Sequence, residues 1–239
     1  MLNAANAVSV GRCALALVVV AMGFAGVGLS PWTAVLLVAL IFLSDAVDGA
    51  LARHFKTVSL LGSFLDIFAD RTVEFAFFLF FFVSGVLPPW FLVAFYSRIV
   101  VTDCCRWSAF RAGKVPPSGI ILRGAIGSLT LSPVSRAGYA GVKMILMAYI
   151  YVALTSGSGS PEGLVLSALL AITVVWSLAR AFPIVQQYGI RWKWLLPSEI
   201  LFPTGMPWRG QNMLLRLQIA FDISVISVLL LVLWNLRLA

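Results

Sequence analysis

Asp45 and Asp48 stand three residues apart, and Asp66 and Asp70 four apart, within the stretch DAVDGALARHFKTVSLLGSFLDIFAD. These four are nearly half of the nine acidic residues in a chain of 239. On a helix, spacings of three and four put both members of a pair on one face. The connection between the pairs is short and contains Gly62, which brings the two faces together. Burying one carboxylate in a bilayer costs about 2.5–3.5 kcal/mol, and four converging ones also repel each other. Something positive must sit between them. No cysteine lies nearby and His54 is the chain's single histidine, so the ligand set is all oxygen. Such a set suits Mg²⁺ or Mn²⁺, and four carboxylates have room for two ions. The alternative is a set of interfacial acids neutralised by Arg53, Lys56 and Arg71. For four acids at these spacings, bound metal is the better reading.

The elements that carry the acids follow from composition. The chain is 61% hydrophobic, with a mean hydropathy of +1.01, far above a soluble domain. Apolar runs near the twenty residues of one bilayer crossing recur along it. We expect spans at Cys13–Leu29, Pro31–Ala52, Leu60–Leu87, Trp90–Phe110, Ala140–Thr155, Gly163–Val185 and Leu215–Leu236. The runs lack the alternation of a barrel wall, so the expected fold is an all-α polytopic membrane protein. The turns GLSPW, SGVLPPW and SGSGSPEG carry no Lys or Arg, and of seventeen basic residues only Arg237 falls on their side. That asymmetry puts the N-terminus and the basic segments on the cytoplasmic face. The net charge of +8 is then a membrane-surface feature. It does not indicate nucleic-acid binding, because the basic residues are dispersed between spans.

Weaker signals are quickly placed. Cys13, Cys104 and Cys105 show no metal spacing and read as packing residues. The first span follows Arg12 after a barely basic start, which argues against a cleaved signal peptide. No internal repeat is present, and no linker precedes residue 188. A phosphatidyl-histidine route needs a pair of histidine motifs, which one histidine cannot supply. His54 reads as an interfacial loop residue.

Asp45-x-x-Asp48-Gly49-x-x-Ala52-Arg53, followed after eight residues by Gly62 and then by Asp66 and Asp70, resembles the signature of the CDP-alcohol phosphatidyltransferases. Every fixed position is present. Upstream, NAVSVGR is similar to the family's Asn-x-x-Thr-x-x-Arg segment before the first span, with Ser9 in place of Thr. The resemblance covers residues 1–188 and implies a six-helix homodimeric bundle with its site open to the cytoplasm, as in a bacterial inner membrane. It implies metal-dependent transfer of a phosphatidyl group from CDP-diacylglycerol to an alcohol, with release of CMP. Asp45, Asp48 and Asp66 are then metal ligands, and Asp70 is a ligand, the base for the acceptor hydroxyl, or both. Gly49, Ala52, Arg53 and Gly62 fall to the CDP moiety. Gly49 lets the nucleotide approach the backbone, and Arg53 reaches a phosphate with its planar fork.

The chain departs from the phosphatidylglycerophosphate synthase pattern in three places. SRAGYAGVK keeps Ser135, Arg136 and Gly138 but has Tyr139 and Gly141 where lysines stand in those enzymes. Arg98, Arg136 and Arg180 remain as candidates to bind the acceptor. That acceptor is expected to be glycerol-3-phosphate first, then inositol phosphate or a free alcohol. Glu74 continues the acidic face inward from Asp70, with an arginine of the fourth span as its expected partner. Residues 189–239 lie outside the pattern and read as an interfacial segment followed by a seventh span. A cation transporter is the rival from another class, since intramembrane carboxylates also bind transported metal. It predicts acids spread through the membrane depth and repeated halves, and neither is found.

Overall fold

Two Ser-Pro pairs start helices. Ser30 accepts from the backbone N–H of Thr33 at 3.2 Å, and Ser132 does the same for Ser135 at 3.1 Å. The proline that follows each serine has no N–H to leave unsatisfied in the first turn. In the computed structural model these caps begin α2, Pro31–His54, and α5, Pro133–Thr155. The other helices are α1, Ala4–Phe24; α3, Leu60–Val83; α4, Pro89–Arg111; and α6, Gly163–Tyr188. The structure describes residues 4–54, 60–111, 132–157, 161 and 163–188, with 220, 223, 224, 227 and 230 beyond them. Among the described residues there are six helices and no strand, as an all-α membrane chain requires. Most of the expected seventh span, and all of residues 189–219, lie outside them.

Among the described residues, three helices contain a stretch long and apolar enough to cross a bilayer: Ala7–Phe24, Val134–Thr155 and Gly163–Gln187. A shorter apolar stretch, Pro31–Asp45, opens α2. The helix limits differ from the hydropathy limits for local reasons. α1 starts nine residues before Cys13, because alanines favour helix while Asn6, Ser9 and Arg12 dilute the apolar signal. It stops at Phe24 because Gly26 takes a left-handed φ of 67°, which turns the Val27 N–H onto the Met22 carbonyl at 3.0 Å. Gly85, with φ 76°, follows the end of α3 in the same way. His54 closes α2 rather than sitting in a loop.

The chain divides into two compact units, Met1–Phe91 with Ala137–Thr173, and Leu92–Arg136 with Val174–Ala239. In the first, α1 packs against both α2 and α3. Gly23 makes the α1–α3 approach possible, since a Cβ there would meet the Phe80 ring at 2.6 Å. Behind it lie Phe77, Phe80 and Tyr151, with Tyr151 edge-on to both phenylalanines. The Tyr151 hydroxyl donates to the Val19 carbonyl at 2.6 Å, fixing α5 to α1. At the uncharged end, the Leu29 N–H donates to the Thr155 carbonyl at 3.2 Å. In the second unit, α4 and the later turns of α6 are joined by Arg98, whose Nε donates to Ser177 Oγ at 2.6 Å.

Candidate active site

The last turns of α2 and the first turns of α3 supply the acids. Asp45, Asp66 and Asp70 each contribute a carboxylate oxygen to a group whose members lie within 4.8 Å of one another. All three side chains are about half exposed. Two carboxylates this close repel by roughly 3–4 kcal/mol at an effective dielectric near 20. The three carboxylates would have to close further on one another to share a single hard cation, and exposed side chains have the freedom to do so. The donor set is all oxygen and fits a hard divalent cation. Asp48 lies one turn beyond Asp45 on α2, but its side chain is outside the described residues. The same holds for the side-chain positions of Gly49, Ala52, Arg53 and Gly62, whose backbones are helical.

A residue of α1 completes this group. Arg12 Nη1 contacts both Asp45 and Asp70, the latter at 3.0 Å, and its Nη2 lies 3.3 Å from Asp66. The Arg12 side chain is only 3% exposed, although the acids it meets are open. Sequence reasoning assigned Arg12 no place in the site. Its signal was available, because a guanidinium entering an apolar helix needs a partner. One guanidinium is a single positive charge shared among three carboxyl groups.

Glu74, one turn inward from Asp70, is buried and takes its charge partners from two helices. Lys143 of α5 donates to Glu74 Oε1, and Arg71 Nη1 lies 3.8 Å from Oε2. The expected partner was an arginine of the fourth span, whereas the structure supplies Lys143 and Arg71. Arg71 is thus engaged with Glu74. The Lys143 ammonium also sits 4.7 Å above the Tyr139 ring, a cation–π contact. Tyr139 occupies one of the positions where a lysine was expected from the synthase pattern, and Lys143 follows it by one turn.

The three candidate acceptor arginines belong to the second unit. Arg98 is bound to Ser177 and lies 5.9 Å from the centroid of the Phe95 ring. Arg180, three residues after Ser177 on α6, donates to the Ser135 carbonyl at 3.0 Å. Arg136 follows Ser135 directly and is exposed. These contacts string α4, α6 and the first turn of α5 into one basic set.

Comparison with known proteins agrees with the motif. A family model described as CDP-alcohol phosphatidyltransferase matches residues 2–179. An archaetidylinositol phosphate synthase from Aeropyrum pernix is 47% identical over 97 residues, covering 40% of this chain and 50% of that protein. The match thus spans about half the length of the curated relative. No solved structure matches the chain. With residues 2–179 matched, and an oxygen-only acidic cluster built from the family's motif positions, the chain belongs to the CDP-alcohol phosphatidyltransferase family.

Proposed function

We propose that the protein transfers the lipid phosphoryl group of a CDP-activated lipid to the hydroxyl of a phosphorylated polyol, releasing CMP. The observation that carries this reading is the convergence of Asp45, Asp66 and Asp70 from two helices onto one point. Asp45, Asp48 and Asp66 would hold two divalent ions, Mg²⁺ or Mn²⁺, with Asp70 contributing an oxygen or standing free. Such ions, when bound, neutralise a diphosphate and polarise the phosphorus under attack. Arg53 holds a donor phosphate through its planar fork, and the backbone at Gly49, Ala52 and Gly62 accommodates the nucleotide. Asp70 takes the acceptor's hydroxyl proton on an oxygen free of metal, because a carboxylate shared between cations is a poor base. The acceptor oxygen forms its bond to phosphorus as the bond to the CMP oxygen breaks.

The acceptor phosphate is held by Arg98, Arg136 and Arg180. Inositol phosphate is the preferred acceptor, since the Aeropyrum relative is named for an inositol phosphate product and Tyr139 and Gly141 replace the synthase lysines. Glycerol-3-phosphate is the second reading, favoured by the retained Ser135, Arg136 and Gly138. Residues 1–188 form the transferase domain, and 189–239 an interfacial segment with a seventh span. The site faces the cytoplasm, on the strength of the basic-residue asymmetry, and family resemblance supports a homodimer. CMP release from CDP-diacylglycerol and its archaetidyl counterpart, against inositol phosphate, glycerol-3-phosphate and free alcohols, tests the reading. Turnover with free alcohols alone would remove the phosphorylated acceptor. No CMP release with any of them would remove the activity.

A further inference from the structure

Arg12 is charged at any pH the protein meets and cannot relieve its burial by losing a proton. Its guanidinium uses two nitrogens to reach three carboxylates, two of them from α3 and one from α2. These are the acids whose oxygens form the candidate metal group, and the named atoms Asp45 Oδ1, Asp66 Oδ1 and Asp70 Oδ1 face the guanidinium. A divalent ion drawn to the same carboxylates competes with it for position and for charge. We propose that Arg12 is the resident counter-cation of the metal-free site. It holds α2 and α3 together through their acids and surrenders those contacts as divalent ions bind.

Two consequences follow from linkage. A cation that occupies the acids weakens metal binding, and metal in turn loosens Arg12 by the same factor. Removing Arg12 should therefore tighten metal affinity while weakening the fold only where metal is absent. A residue with a merely structural role would weaken the fold in both conditions and leave metal affinity alone. The proposal rests on Asp45, Asp66 and Asp70 being metal ligands.

The test uses the purified full chain in detergent, with Arg12→Gln and Arg12→Lys beside the wild type. Mn²⁺ affinity is read by electron paramagnetic resonance titration, and thermal midpoints are taken in EDTA and in saturating Mg²⁺. Arg12→Gln should bind Mn²⁺ roughly tenfold more tightly, an ordinary size for coupling between competing ligands. Its midpoint should fall in EDTA and largely recover in Mg²⁺. Arg12→Lys keeps the charge without the planar fork that spans three acids, and should fall between. Unchanged or weaker Mn²⁺ binding in both variants, with equal midpoint losses in EDTA and Mg²⁺, would overturn the proposal while leaving the metal site standing. If Arg12→Gln cannot be purified, the Arg12→Lys affinity decides alone. A wild type that binds no Mn²⁺ would remove the metal reading and this inference together.

Discussion

Lys143 and Glu74 form a buried ion pair between α5 and α3, one helical turn from Asp70. The two side chains are 12% and 7% exposed, so little water screens them. Removing one partner of such a pair strands a charge, at about 3–5 kcal/mol. Replacing both with apolar residues of similar volume is far milder. Lys143→Met leaves Glu74 with Arg71, whereas Glu74→Leu strands both cations, so Glu74→Leu should lower the thermal midpoint in detergent more, and adding Lys143→Met to it should recover part of the loss. Additive losses in the double variant would show that the pair is not coupled.

Asp45→Asn, Asp48→Asn, Asp66→Asn and Asp70→Asn should each remove nearly all CMP release while the protein still inserts and elutes as a single species. Each change removes a charge where metal would do the electrostatic work, so losses of about a hundredfold or more are expected. Near-wild-type turnover in any two would contradict the assignment.

Activity should vanish in EDTA and return with Mg²⁺ or Mn²⁺. Ca²⁺ should support it poorly, since it is larger and takes looser coordination. Full turnover in chelated, metal-free buffer would remove the two-ion reading.

Much of this site could be read before any coordinates. Asp66 and Asp70 share a face because a spacing of four does so in any helix, and the short connection in the sequence between α2 and α3 points to Asp45 as their neighbour. Arg12 announced only a charge in need of a partner, not the acids that supply one. Its role depends on how α1 lies against α2 and α3, and helix packing is set by shape at positions such as Gly23 and Phe80, which no spacing rule reveals. Glu74 was seen as an acid needing a partner, but the choice of Lys143 required the rotation of α5. The helix starts were blurred where polar residues open a span, as in α1, and sharp where Ser-Pro announces one, as in α2.

Arg98→Ala, Arg136→Ala and Arg180→Ala should each raise the acceptor KM more than the KM for the CDP-lipid. Lysine should rescue Arg98 only in part, because a guanidinium engages phosphate through paired donors that an ammonium lacks. Ser177→Ala removes the partner of Arg98 and should produce a smaller shift in the same direction. Unaltered acceptor kinetics in all three alanine variants would shift the reading to an unphosphorylated alcohol.

Arg12 sits five residues into the apolar stretch that begins at Ala7, about 8 Å along the helix axis at 1.5 Å per residue. The apolar stretch of α2 ends at Asp45, so the acids that Arg12 meets stand where the apolar part of a neighbouring helix runs out. A lipid whose tails stay among its neighbours can present its phosphates there without being lifted from the leaflet. In the proposed reaction the water-soluble acceptor is then the substrate that would travel, to meet a donor that has only drifted sideways.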